Sequence, residues 1–231
     1  MIGPGAAWRA GWRAFRHRPE QVLVPILVAG FTWVVAEVVV QSAISATVTR
    51  SHPCVRRLGD LIDPTHCAAT GDRSTNGLIL TTLGFCFLGQ LFWAVALHAA
   101  DRVLSPGVPR RPPVLPVLGT AAVLAVLLTL GIGTGFLLAV LVAFLGQSAM
   151  AGVVVERHGV MAALGQSVRE VIARPGYAFG FGCLAVLSVV GGAALLLVGV
   201  WPAIAILALA QVADRRSRAA GPEIGSVSDS R

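Results

Sequence analysis

The chain has 231 residues, of which 55% are apolar and only 13% charged, and its mean hydropathy is +0.78. A soluble domain carries about 25% charged residues, so this chain cannot coat a water-facing surface and does not read as an ordinary globule. Its net charge of +7 comes from 18 arginines and no lysine; they flank apolar runs, which points to lipid headgroups and away from nucleic acid.

The first predicted element is a helix over 6–18. Trp8, Trp12 and Phe15 recur on one arc, and Arg9, Arg13 and Arg16 on the next. An aromatic stripe beside an arginine stripe suits a helix lying in the headgroup layer. Pro19 ends it. The apolar run that follows exceeds the 7–15 residues of a signal-peptide core, so it reads as an uncleaved span, 21–46. A polar stretch, 47–77, holds three aspartates, two prolines and the cysteine pair Cys54 and Cys67. Span two is 78–100.

After a loop rich in arginine and proline, an apolar tract runs from Val114 to Val155, broken only by glycines at 131, 133 and 135. A bilayer core of about 30 Å needs about 20 helical residues, so the tract divides into spans at 114–130 and 136–155. A second amphipathic helix is predicted over 158–174, ended by Pro175. The last apolar tract divides at Gly199–Pro202, with Gly191-Gly192 as the rival turn, giving spans 176–198 and 202–213. From Asp214 to Arg231 a flexible tail is expected.

The fold class is therefore all-α, a polytopic transmembrane bundle of six spans with two interfacial amphipathic helices. Six crossings place both termini on one side, together with fourteen of the eighteen arginines. The positive-inside rule makes that side cytoplasmic. The lysine-free, Ala- and Val-rich composition suggests a bacterial source, and so a bacterial plasma membrane. A shift of 156 residues aligns Arg13, Arg18 and Pro19 with Arg169, Arg174 and Pro175, and places Trp8, Trp12 and Phe15 on Leu164, Val168 and Val171. This echo is either an internal repeat or the chance likeness of two amphipathic helices.

Candidate sites are few. Cys54 and Cys67 in an exported loop suit a disulfide, closing a loop of about 14 residues and contributing about 3 kcal/mol. His52 and His66 beside them leave a metal as the weaker alternative, although the spacing matches no standard zinc pattern. Glu37, with Gln41 one turn on, is the carboxylate inside a predicted span and marks an intramembrane polar site or a structural contact. Gln90, His98 and Gln147 suit interhelical hydrogen bonds, and Cys86 and Cys183 suit packing. Without lysine there is no Walker A lysine, Schiff base or Ser-Lys dyad, and no zinc-protease or nucleophile-elbow motif occurs. No cofactor, resident metal or catalytic residue is expected.

The stretch Val153–Arg169, with Glu156, Gly159, Ala163, Leu164 and Ser167 in order, resembles a segment found in a broad group of six-helix bacterial membrane proteins. That group includes the membrane domain attached to some glycerophosphodiester phosphodiesterases. The N-terminal amphipathic helix and Pro202 are similar too, whereas the cysteine-bearing loop and the arginine-only composition depart from the pattern. The resemblance implies the fold and a cytoplasmic elbow formed by Glu156, Ser167 and Arg169. It implies no reaction, since the phosphodiesterase chemistry belongs to a separate soluble domain. The expected function is that of a non-enzymatic inner-membrane protein, an accessory or assembly subunit of an envelope complex with lipids as its field. Its expected partners are anionic lipids at the cytoplasmic face and other membrane proteins; a small transporter or lipid-translocating protein is the alternative.

Overall fold

The computed structural model describes residues 3–51, 71–105, 111–146, 148–194 and 199–219. These residues are helical, with no strand among them. In chain order the helices are α1 Pro4–His17, α2 Pro19–Ser51, α3 Gly71–Leu104, α4 Val114–Thr134, α5 Phe136–Gly146, α6 Ala149–Val154, α7 Val160–Ala173, α8 Pro175–Ala194 and α9 Val200–Ala219. Proline opens α1, α2 and α8 and lies in the first turn of α4 and α9. At those positions its missing N–H is no loss and its fixed φ suits the helix.

Among the described residues three helices are long and apolar enough to cross a membrane: the segments Pro19–Val40, Gly77–Leu104 and Val114–Thr134. A fourth candidate is the pair α7 and the first part of α8, which meet at 103°. The outward faces of these helices are apolar: Phe31 is 72% exposed and Leu115 81%. Such large exposed side chains would be a liability in water and are ordinary in lipid.

Helix α9 lies at the centre. Ala205, Ala208, Leu209 and Val212 are buried in one cluster with Val22 and Ile26 of α2, Phe92 and Leu97 of α3, Ala121 of α4, and Met150 of α6. A second cluster joins Ala210 and Leu207 of α9 to Ala7 of α1 and Phe181 of α8. Small residues let the axes approach closely. At Gly11 the approach is to backbone, since a Cβ there would lie 2.7 Å from the Ile206 carbonyl oxygen.

The echo at 156 residues extends to the local structure of α1 and α7. α1 and α7 are both 14 residues long, each preceded by an extended glycine (Gly3 and Gly159) and ended by an arginine before proline. Arg18 has φ −146° and ψ 61°; Arg174 has φ −144° and ψ 62°. The buried residues correspond as well, Ala7 and Gly11 with Ala163 and Ser167.

Several boundaries differ from the sequence expectation. The stretch 136–155 is not one helix; α5 ends at Gly146 and α6 begins at Ala149, with the polar pair Gln147-Ser148 between them in sequence. Helix α2 runs on to Ser51 and α3 starts at Gly71, so the helices extend into both ends of the polar stretch expected over 47–77. Asp214 does not begin a tail, because α9 continues to Ala219 with Asp214 and Arg215 buried; ion pairs hold that last turn. The division at Gly199–Pro202 agrees with α9 beginning at Val200, whereas Gly191-Gly192 lies inside α8. Between α4 and α5, Gly135 has φ +156°, a backbone that residues with a side chain rarely adopt.

Candidate functional site

The last turn of α9 carries Asp214, Arg215, Arg216 and Arg218 on a helix that is otherwise apolar. A charge this close to the core must be paired, and the structure pairs it. The Arg215 side chain is only 2% exposed. Its Nη1 donates to Glu156 Oε1 at 2.8 Å, and its Nη2 donates to Glu170 Oε2 and to the Ser148 carbonyl oxygen, both at 2.9 Å. One guanidinium fork thus ties α9 to α7 and to both ends of α6.

The surrounding polar groups close the network. Gln166 Nε2 donates to Glu156 Oε2 at 3.0 Å and to Glu170 Oε1 at 3.1 Å. Ser148 Oγ and Ser167 Oγ are 2.9 Å apart, and His158 Nδ1 lies 3.3 Å from Glu156 Oε2. Between Glu156 and His158 the chain turns on Arg157, whose φ of 62° is unusual for a residue with a side chain. That conformation costs roughly 1–2 kcal/mol, which the paired neighbours offset.

Arg218 completes the far side. It donates to Asp214, lies 3.5 Å from Glu170 Oε1, and sits 5.2 Å above the Tyr177 ring. Burial disfavours its charge, but Asp214 and then Glu170 outweigh burial and raise its pKa above the ordinary guanidinium value. Arg216 reaches α3, where its Nη2 donates to the buried Asp101 Oδ1 at 2.6 Å.

Three cavities adjoin this network. An open groove of about 550 Å³ runs along α7 past His158, Gln166, Arg169 and Arg174. A narrow cleft of about 30 Å³ lies between α7, α8 and α9, walled by Tyr177, Asp214 and Arg215 among others. Groove and cleft share Glu170, Arg174 and Arg218 as walls. Beside the cleft, a cavity of about 200 Å³ lies among α3, α4, α5, α8 and α9, lined by Trp93, Leu124, Leu128, Ala185 and Leu207, with the Gln90 and Gln211 amides. Cleft and cavity share Phe181 and Gln211. The walls therefore grade from arginine to amide to hydrocarbon.

Four arginines (Arg169, Arg174, Arg215 and Arg218) stand here against three carboxylates, Glu156, Glu170 and Asp214. Arg215 and Arg218 are consumed by the carboxylates. Arg169 is exposed and its Nε donates to the Gly165 carbonyl oxygen at 3.2 Å. Half-buried Arg174 pairs with no carboxylate among the described residues and faces both groove and cleft.

Of the residues singled out from sequence, Glu156 and Ser167 enter this network directly, while Arg169 lies outside it on the groove. Gln90 lines the apolar cavity. Arg9, Arg13 and Arg16 are exposed on α1, and Trp12 with them, whereas Trp8 and Phe15 are partly buried against the core clusters. Glu37 is half-buried on α2 and lines none of the three cavities. The side chains of Gln41 and Gln147 and the cysteines Cys54 and Cys67 lie outside the described residues; Cys86 and Cys183 are free thiols. Among the described residues no three His, Cys, Asp or Glu side chains gather as a metal site.

Sequence reasoning missed Arg215, Glu170, Ser148 and the Asp101–Arg216 pair. The signal was present: Asp101-Arg102 and Asp214-Arg215-Arg216 both close an apolar run with opposite charges side by side. A purely electrostatic inside signal needs arginine alone; an aspartate beside it marks a partner. No protein-family model, curated protein or solved structure matches this chain.

Proposed function

We propose that this chain is a non-enzymatic bacterial plasma-membrane protein that holds a lipid molecule, acting as a lipid-handling accessory subunit of an envelope complex. The observation that carries the reading is the run of three adjoining cavities, from an arginine-lined groove to an apolar interior. That gradient matches an amphiphile, with its head at the groove and a chain among Leu124, Ala185 and Leu207. In this arrangement the chain crosses six times. α7 and its counterpart α1 lie along the cytoplasmic headgroup layer, and both termini face the cytoplasm. The 103° bend between α7 and α8 and the concentration of arginine on that side support this placement.

α9 has about 14 apolar residues before Asp214, or about 21 Å of helix, which is short for a bilayer core. Its position at the centre of the bundle supports the reading nonetheless, because its neighbours, and not lipid, surround its charged end.

A lipid-translocating protein is the alternative. It needs a polar path continuing toward the opposite face, and Glu37, the candidate for it, lies away from the cavities. The test of the lipid-holding reading is crosslinking with a phospholipid that carries a photoreactive group in its acyl chain. Adducts on cavity residues such as Ala185 and Leu207 are expected. Adducts confined to outward-facing side chains such as Phe31 and Leu115 contradict the reading.

A further inference from the structure

We infer that the bound amphiphile is a phosphate-headed lipid whose phosphate is held by Arg174, with Arg169 at the rim of the groove; this rests on the lipid-holding reading above. The first argument is charge. Each carboxylate of the network already has an arginine partner, Arg215 for both Glu156 and Glu170 and Arg218 for Asp214, which sets two positive charges against three negative. Adding Arg169 and Arg174 leaves the groove with more positive than negative charge. Arg174 is the half-buried member of that pair and belongs to the walls of both groove and cleft. A planar guanidinium fork of this kind matches a phosphate with two parallel hydrogen bonds.

The second argument is what adjoins the cleft. From Arg174 to Ala185 is eleven residues of α8, about 16 Å along the axis, and over that distance the walls turn from charged to apolar. Tyr177 and Phe181 stack with ring centroids 6.3 Å apart along the way. A free phosphate ion has no use for the apolar cavity of about 200 Å³, which exceeds the roughly 150 Å³ that suffices for a small hydrocarbon ligand. A neutral amphiphile leaves Arg174 uncompensated. Phosphate and chain together fill both requirements.

Arg174 and Arg18 correspond at the 156-residue shift, with matching backbone dihedrals, but their surroundings differ. Arg18 is exposed, and the positions on α1 that correspond to Gln166 and Glu170 are Ala10 and Ala14. The pair therefore provides an internal control, the same joint without the site.

The experiment places the full chain in mixed micelles with equal amounts of diacylglycerol, which lacks a phosphate, phosphatidylglycerol and phosphatidic acid, and counts retained lipids by native mass spectrometry. Wild type should retain the two anionic lipids over diacylglycerol by about tenfold, the size of one well-made charge-assisted contact. Arg174→Gln should lower that preference to twofold or less while a lipid is still retained. Arg174→Lys should restore part of it, and Arg18→Gln should leave it unchanged. Should Arg174→Gln fail to fold, Arg169→Gln provides a second, weaker loss of the same preference. Equal retention of neutral and anionic lipids by wild type overturns the phosphate assignment while leaving the lipid-holding reading in place. Full preference in Arg174→Gln overturns the assignment too. Displacement of the lipid by millimolar inorganic phosphate would reassign the groove to a soluble ligand. No retained lipid at all would remove both proposals.

Discussion

Arg215 is the residue on which the charged end of the bundle depends. Its guanidinium is almost wholly buried and is shared by Glu156, Glu170 and a backbone carbonyl. Removing it leaves Glu156 with only His158 and Gln166 beside it, and Glu170 with Gln166 and the longer contact to Arg218. Breaking a buried pair from one side typically destabilises by about 3–5 kcal/mol. Arg215→Met should therefore lower the melting temperature in detergent sharply, whereas Arg169→Gln, on an exposed residue, should change it little. Equal effects from the two would contradict the network. Arg157 gives a smaller prediction of the opposite sign. Asparagine tolerates its left-handed backbone better than arginine does, so Arg157→Asn should leave the melting temperature equal or slightly higher. A drop of several degrees would show that the Arg157 side chain itself supports the elbow.

At the scale of elements, α1 and α7 are the informative pair. Their amphipathic pattern and their terminal Arg-Pro were legible because helical periodicity and proline act locally. What they pack on was not. The aromatic stripe of α1 drew attention, yet the seam against α9 is made by Ala7 and Gly11, and the matching seam on α7 by Ala163 and Ser167. Small residues carry a weak hydropathy signal, so a moment calculation passes over them. Gly11→Leu tests that seam. Its side chain would begin within 2.7 Å of the Ile206 carbonyl oxygen, so α1 should detach from α9 and become sensitive to protease. An intact, protected α1 in this variant would contradict the packing. The break between Gly146 and Ala149 carries a sequence signal, the polar pair Gln147-Ser148, which the apolar residues on either side outweigh in a span-length reading. The last turn of α9 was misread as a tail because its four charged residues were weighed singly. Asp214 and Arg218 pair one turn apart, but the partners of Arg215 and Arg216 lie 45 to 115 positions away in sequence, beyond the reach of any local pattern.

At the scale of the molecule, the proposal orders the chain across a membrane. In that proposal the joint between α7 and α8 and the charged end of α9 face the cytoplasm, and 47–77 lies on the other side. Reporter fusions after residues 60 and 108 should then report opposite sides; the same side for both would contradict six crossings. The proposed function rests on the same arrangement, because the adjoining cavities grade from arginine-lined walls to apolar ones. The most direct measurement is native mass spectrometry of the purified chain beside its Ala185→Trp variant, in which a bulky ring fills the apolar cavity. Wild type should carry one tightly retained lipid per chain through detergent exchange, and the variant should lose it while keeping its melting temperature. A lipid-free wild type, or a variant that retains lipid equally well, would contradict the account.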